Sequence, residues 1–193
     1  MQSDCFHVRK RKEVEFEIKK SRFIGVIMPA QSEQDALRQL QQLASQHAQA
    51  NHLAFAWRIR QPDGKVNERL FDAGEPSGTA GRPILAPMQG ENLIDTVVAV
   101  IRYFGGVKLG TGGLTKAYGQ AAKQVMAAAT IVPWIEMQEL QLTLEYPQLQ
   151  FFEYQLKQVK GRSLNQEFTD TVKLTIRLPK SAADEILAQF TAA

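Results

Sequence analysis

TVVAVIRYFGGVKLGTGGL, residues 96–114, runs from a nearly unbroken apolar segment through a glycine-rich turn. Apolar continuity up to Arg102 predicts a central strand covered on both faces. Residues 114–130 then repeat with helical period. Leu114, Ala117, Tyr118, Ala121 and Val125 form the buried stripe, and Lys116, Gln120 and Lys123 the exposed side. The order strand, glycines, helix gathers backbone amides at the positive end of a helix, the physical basis of an anion site. Arg102, Gly105, Gly106, Lys108, Gly110, Gly112 and Gly113 are its candidate residues. The run matches neither common nucleotide fingerprint. No Lys-Ser or Lys-Thr follows Gly110, and Thr115 stands where G-x-G-x-x-G needs its last glycine.

Upstream, residues 72–83 read DAGEPSGTAGRP, with three glycines and two prolines in a dozen positions. Such a segment is neither strand nor mid-helix. Pro76 biases Glu75 to an extended conformation, so the carboxylate is held in a rigid turn. Ser77 and Thr79 are candidate caps for a following helix carrying Pro83, Ile84 and Leu85. Glu75, Pro76, Ser77, Gly78, Thr79, Gly81 and Arg82 make this a second candidate site loop. Further back, residues 52–60 alternate. Leu53, Phe55, Trp57 and Ile59 share one face, and His52, Ala54, Ala56 and Arg58 the other, whose two alanines leave a shallow surface. Pro62-Asp63-Gly64 then turns the chain into a hairpin. Glu75 and Asp72 are the acid–base candidates of the region, with His52 as helper.

The first 28 residues hold two strands, 14–18 with strict alternation and 23–28, joined through Lys20-Ser21-Arg22. Ser32 caps a helix with Asp35 in the capping-box position and Leu37, Leu40 and Ala44 on one face. Pro133 follows the long helix and places a domain boundary between residues 1–134 and 135–193. Beyond it the expected order is strand 138–145, helix 148–160, strands 162–168 and 172–178, and helix 181–190. That is a ferredoxin-like β-α-β-β-α with its last strand either absent or beyond residue 193.

The whole chain is 193 residues, 44% hydrophobic and 22% charged, which is ordinary for a globular protein. One cysteine, Cys5, placed near a mobile terminus, excludes an internal disulfide, and no Cys/His spacing suggests zinc or any other metal. Residues 1–20 lack the apolar core of a signal peptide, and the longest apolar run, 97–101, is too short for a bilayer. A cytoplasmic protein without membrane contact is expected. Through Val132 there are 17 Lys/Arg against 12 Asp/Glu, net +5, and afterwards 6 against 8, net −2. A basic first part suits phosphate or nucleic acid better than the second does.

Two long strings, EPSGTAGRPIL at 75–85 and RYFGGVKLGTGGL at 102–114, together resemble the signature of the IMPACT family, and SRFIG at 21–25 and AWRI at 56–59 agree. The resemblance covers essentially the whole chain. It implies a left-handed βαβ fold for the first domain, shared with the second domain of ribosomal small-subunit protein five, elongation factor G and small-molecule kinases. For the second domain it implies a ferredoxin-like domain such as elongation factor G carries. Connection statistics alone point to a right-handed crossover. The eukaryotic namesake regulates translation. Ala73 stands where the family's pattern has a second acidic residue beside Asp72, which speaks against a paired-carboxylate metal site.

These features imply a non-enzymatic, translation-linked protein that binds RNA or the ribosome through its first domain. Lys108, Lys116 and Lys123 would contact phosphates, with residues 9–12 as a flexible arm. The alternatives are an enzyme or binder of a phosphate-containing small molecule using the glycine-rich loop, or a module for a protein partner. No cofactor is expected. Glu75 is expected beside Arg102.

Overall fold

A computed structural model describes residues 5–190. It divides into two units, with the division between Trp134 and Ile135. The first contains β1 (Phe6–Val8), β2 (Lys12–Ile18), β3 (Ser21–Pro29), α1 (Glu33–Gln46), β4 (His52–Arg60), β5 (Val66–Phe71), α2 (Gly81–Gly90), β6 (Thr96–Tyr103), α3 (Gly110–Ala128) and β7 (Ile131–Pro133). Five strands form one sheet in the order β2-β3-β6-β4-β5, each neighbour antiparallel. Strands β3 and β4 therefore run parallel on either side of β6, joined by the crossover through α1.

The sheet is covered on both faces, as the apolar β6 requires. On one side α2 and α3 pack Ile84, Met88, Leu114, Ala117, Tyr118 and Val125 onto Phe23, Ile27, Ala54, Ala56, Val98 and Val100. On the other, α1 packs Ala36, Leu40 and Leu43 onto Val26, Trp57, Ile59, Val97 and Ile101. The two alanines of β4 thus admit a helix rather than a ligand. The α1 stripe differs from the expected one: Leu37 is 39% exposed and Ala44 is exposed, while Ala36 and Leu43 are buried. Both stripes satisfy helical spacing. The sheet takes the stripe of Ala36, Leu40 and Leu43, which packs in one cluster with Trp57 and Ile59. Ser32 caps α1 as expected, but the Asp35 carboxylate accepts from Arg38 and Gln39 instead of closing a capping box.

Residues 9–12 are no flexible arm. β1 pairs with β7, the Arg9 amide donates to the Thr130 carbonyl, and Lys12 already belongs to β2. Cys5 is likewise tied in, its carbonyl accepting from the Trp134 amide. β2 and β3 are joined by Lys19-Lys20, both with positive φ (46° and 66°), the backbone of a two-residue hairpin.

The second unit contains β8 (Met137–Leu144), α4 (Tyr146–Gln158), β9 (Arg162–Phe168), β10 (Val172–Pro179) and α5 (Lys180–Phe190). Its sheet has the order β8-β10-β9, all antiparallel, the ferredoxin-like arrangement without a fourth strand among the described residues. A fourth strand, if one follows, would lie outside the described residues. Phe152, Leu156, Leu174, Ile176, Ala183 and Ile186 fill its core. Helix α4 starts two residues earlier than expected because Pro147 fits the first turn and Glu145 with Gln148 forms a capping box.

Candidate functional site: a buried carboxylate–guanidinium pair

The loop between β5 and α2 is organised by Asp72. Its carboxylate accepts the amides of Gly78 (2.9 Å), Ala80 (3.0 Å) and Gly81 (2.8 Å), capping α2 from eight residues upstream. Neither Ser77 nor Thr79 caps the helix. Ser77 is exposed, and the Thr79 hydroxyl donates to the Pro76 carbonyl at 2.6 Å. Burial raises the Asp72 pKa, but the three amide bonds outweigh it and leave the carboxyl below its ordinary value. Asp72 is therefore a structural anion, with three backbone amides donating to it. A depressed folded pKa gives stability that is present above the unfolded value, near 3.8, and is lost as pH falls through the folded one. Asp72→Asn is expected to lower unfolding stability by about 1–2 kcal/mol at pH 7. The gap to wild type should close as pH drops below about 4. A pH series of urea unfolding checks this, and a gap that stays constant to pH 2 would contradict it.

Ala73, Gly74 and Gly78 have φ of 54°, 82° and 77°. These left-handed turns fold the loop inward and carry Glu75 into the interior, where it is 8% exposed. Its Oε1 accepts from Arg102 Nη1 at 2.7 Å and from the Tyr118 hydroxyl at 2.8 Å, with His52 Nε2 at 3.7 Å. The β4–β6 register sets His52 directly opposite Arg102, and the β3–β6 register sets Phe23 on Arg102's other side. The Arg102 guanidinium carbon lies 5.7 Å from the Phe23 ring and 5.3 Å from the Phe104 ring. The ring of His52 donates from Nδ1 to the Ala73 carbonyl at 2.8 Å, which ties the loop to β4. Burial, then the bond to Glu75, raises the Tyr118 pKa strongly, so its hydroxyl remains a donor.

The glycine-rich run is divided by the structure. Helix α3 begins at Gly110, four residues earlier than expected, so Gly112 and Gly113 are helical rather than loop. Arg102 does not serve this segment. It is held at Glu75 beside Tyr118, eight residues into α3 and about 12 Å of helical rise from the start. The α3 start has no side-chain cap and no acidic residue in its first turn. Gly106 and Gly110 have φ of 86° and 72°, and the Gly105 amide donates to the buried Ser21 hydroxyl at 3.2 Å. Lys108, Lys116, Lys123 and Arg82 are all exposed.

Sequence reasoning placed Tyr118 only in the core. Its signal was available, since a buried tyrosine hydroxyl needs a partner. Among the described residues no three His, Cys, Asp or Glu side chains are placed to hold a metal ion. None of their helices is long and apolar enough to cross a membrane.

A helix-covered antiparallel sheet bearing this buried pair, followed by a ferredoxin-like unit, defines a two-domain α+β class of protein. The Impact N-terminal domain family matches residues 19–126, and the Domain of unknown function (DUF1949) matches residues 142–193. The chain belongs to the IMPACT family. It is 36% identical over 174 residues to the IMPACT family member YigZ of Escherichia coli (strain K12), covering 90% of this chain and 85% of that protein. It is 37% identical over 153 residues to the IMPACT family member YvyE of Bacillus subtilis (strain 168), covering 79% and 70%. A crystal structure described as that of a hypothetical protein superposes with a TM-score of 0.70 at 34% identity, covering 96% of this chain and 90% of that one.

Proposed function

We propose that the protein is a translation-linked regulator that works in the cytoplasm by binding RNA or the ribosome through the α2/α3 face of its first unit. The observation that carries this reading is charge segregation between the two sides of the sheet. Helices α2 and α3 contain Arg82, Lys116 and Lys123 and no Asp or Glu, whereas α1 opposite them has Glu33 and Asp35 against Arg38. Lys116 and Lys123 lie about two turns apart on one side of α3, and Lys108 lies in the loop that feeds it. A helix pair whose only charged side chains are basic attracts a polyanion without reading its sequence, even with Glu68 and Glu91 at the edge of α2. The resemblance to a family whose namesake regulates translation supports the same reading.

Co-sedimentation with ribosomes over a salt series tests it. Binding by wild type should weaken linearly on a log–log plot. Replacing Lys108, Lys116 and Lys123 by Gln should reduce the slope by about 2 if three phosphates are contacted. Wild-type affinity and slope in the triple variant would rule out this face.

A further inference from the structure

Phe104 is a large apolar residue left at the surface, 43% exposed, on a stretch of backbone that is pinned on both sides. Its amide donates to the Asn51 side-chain oxygen at 2.8 Å. The next residue, Gly105, lies so close to the Lys20 backbone that a Cβ would meet the carbonyl oxygen at 1.9 Å. The Arg102 guanidinium, itself fixed by Glu75, lies 5.3 Å from the Phe104 ring. The approach that locks Gly105 also brings the exposed Lys19 and Lys20 of the β2–β3 turn beside the loop carrying the exposed Lys108. Few carboxylates oppose these cations. Glu75 is buried and committed to Arg102 and Tyr118. Glu13, Glu15 and Glu17 alternate with Val14, Phe16 and Ile18, which pack under α2 and α3, so they stand on the opposite face of the sheet.

An accessible aromatic ring held among cations suits an unpaired nucleotide, whose base stacks on the ring while its phosphates meet the ammonium groups. A base inside a duplex is already stacked on both faces and has no use for such a ring. Because the backbone under Phe104 is pinned, the ring is presented with little left to order on binding. We propose that Phe104 stacks an unpaired base of single-stranded RNA, with Lys19, Lys20 and Lys108 on the flanking phosphates. The Glu75–Arg102 pair then acts as the support behind the ring, and Gly105 as the joint that sets the two loops side by side. The inference rests on the RNA-binding reading above. It adds to it the kind of RNA, single-stranded, and a stacking subsite that shares Lys108 with the lysine face.

The test is the anisotropy of a labelled ten-nucleotide single-stranded RNA, titrated with the full chain over a salt series. Phe104→Ala should weaken binding by about 5- to 100-fold at every salt concentration and leave the salt slope unchanged, since stacking releases no counterion. Phe104→Tyr should keep wild-type affinity. Lys19→Gln with Lys20→Gln should instead lower the slope, by about 1.4 for two phosphates of a single strand. A second measurement needs no variant to fold: the Phe104 ring protons of the wild-type chain should move upfield with the same RNA and not with inorganic phosphate. Phe104→Ala binding at wild-type strength, or losing as much affinity for a ten-base-pair RNA duplex, overturns the proposal. Weaker co-sedimentation of Phe104→Ala with ribosomes while the ten-nucleotide RNA binds normally also overturns it, and assigns the ring to a protein partner. Phe104→Ala keeps every lysine. RNA bound equally by wild type and this variant therefore rejects the subsite alone, whereas a wild-type chain that binds neither RNA nor ribosomes rejects the reading on which it rests.

Discussion

Glu75→Gln lowers the stability of the first unit by about 3 kcal/mol, the largest effect expected of any side-chain substitution at the site. Glutamine keeps the shape and can still accept from the Tyr118 hydroxyl. It cannot neutralise a guanidinium that is 95% withdrawn from solvent, taking the 5% exposure of Arg102 as the remainder. The penalty is the uncompensated charge rather than one missing hydrogen bond. Both tryptophans, Trp57 and Trp134, lie in the first unit, and Trp57 is fully buried. Their fluorescence in urea therefore follows this unit separately from the second. With a slope of about 2 kcal/mol/M, the midpoint should fall by about 1.5 M. Adding Arg102→Met removes the stranded charge and leaves Tyr118 its acceptor, so the double variant should recover most of the loss. A midpoint within 0.2 M of wild type for the single variant, by the same order-of-magnitude slope, would show that the pair is solvated after all.

Gly105→Ala is expected to cost at least about 3 kcal/mol, beyond ordinary overpacking. A Cβ at this position would stand 1.9 Å from the Lys20 carbonyl oxygen and 2.1 Å from its carbon. Those atoms are backbone in the β2–β3 turn, where Lys20 already occupies a left-handed conformation with φ of 66°. The hairpin cannot yield without losing its register. Gly112→Ala is the contrasting case. Nothing lies within 4 Å of its Cβ, and the residue is inside α3, so alanine should stabilise by about 0.5–1 kcal/mol. Gly106 and Gly110 have equal room but positive φ, and alanine there should cost about 1 kcal/mol from backbone strain alone. Thermal melts of the four variants check the order. Gly105→Ala melting with wild type would contradict the close approach to Lys20.

Much of this architecture was legible because it is periodic. The alternation of Val14, Phe16 and Ile18, the two faces of β4 and the buried stripe of α3 each follow from one repeat. The start of α3 was not legible, because glycines inside its first turn carry the propensity of a loop and only the packed helix overrides it. The cap on α2 was missed for a different reason. Asp72 reaches amides six to nine residues away, and no local capping pattern extends so far. The meeting of Glu75 with Arg102 could be argued from two rigid turns beside one sheet. His52 and Phe23 flank Arg102 through strand registers that composition and spacing do not specify. The β1–β7 ribbon, three residues on each strand, is shorter than any period can reveal.

The position of β6 between β3 and β4 has a consequence for vectorial synthesis. The chain emerges from its N-terminus, so β3, α1 and β4 are all made while the central place in the sheet is empty. From Arg60 to Tyr103 the elongating chain needs roughly 2–9 s at typical rates. During that interval β3 and β4 each present an open hydrogen-bonding edge, the kind of surface that pairs with a neighbouring nascent chain. The apolar TVVAVI segment is thus a keystone delivered late, and the clasp of β1 by β7 closes only when residue 133 has followed it out. Holding or crowding such a chain at residue 95 should favour aggregation, whereas release after residue 133 leaves both edges sealed.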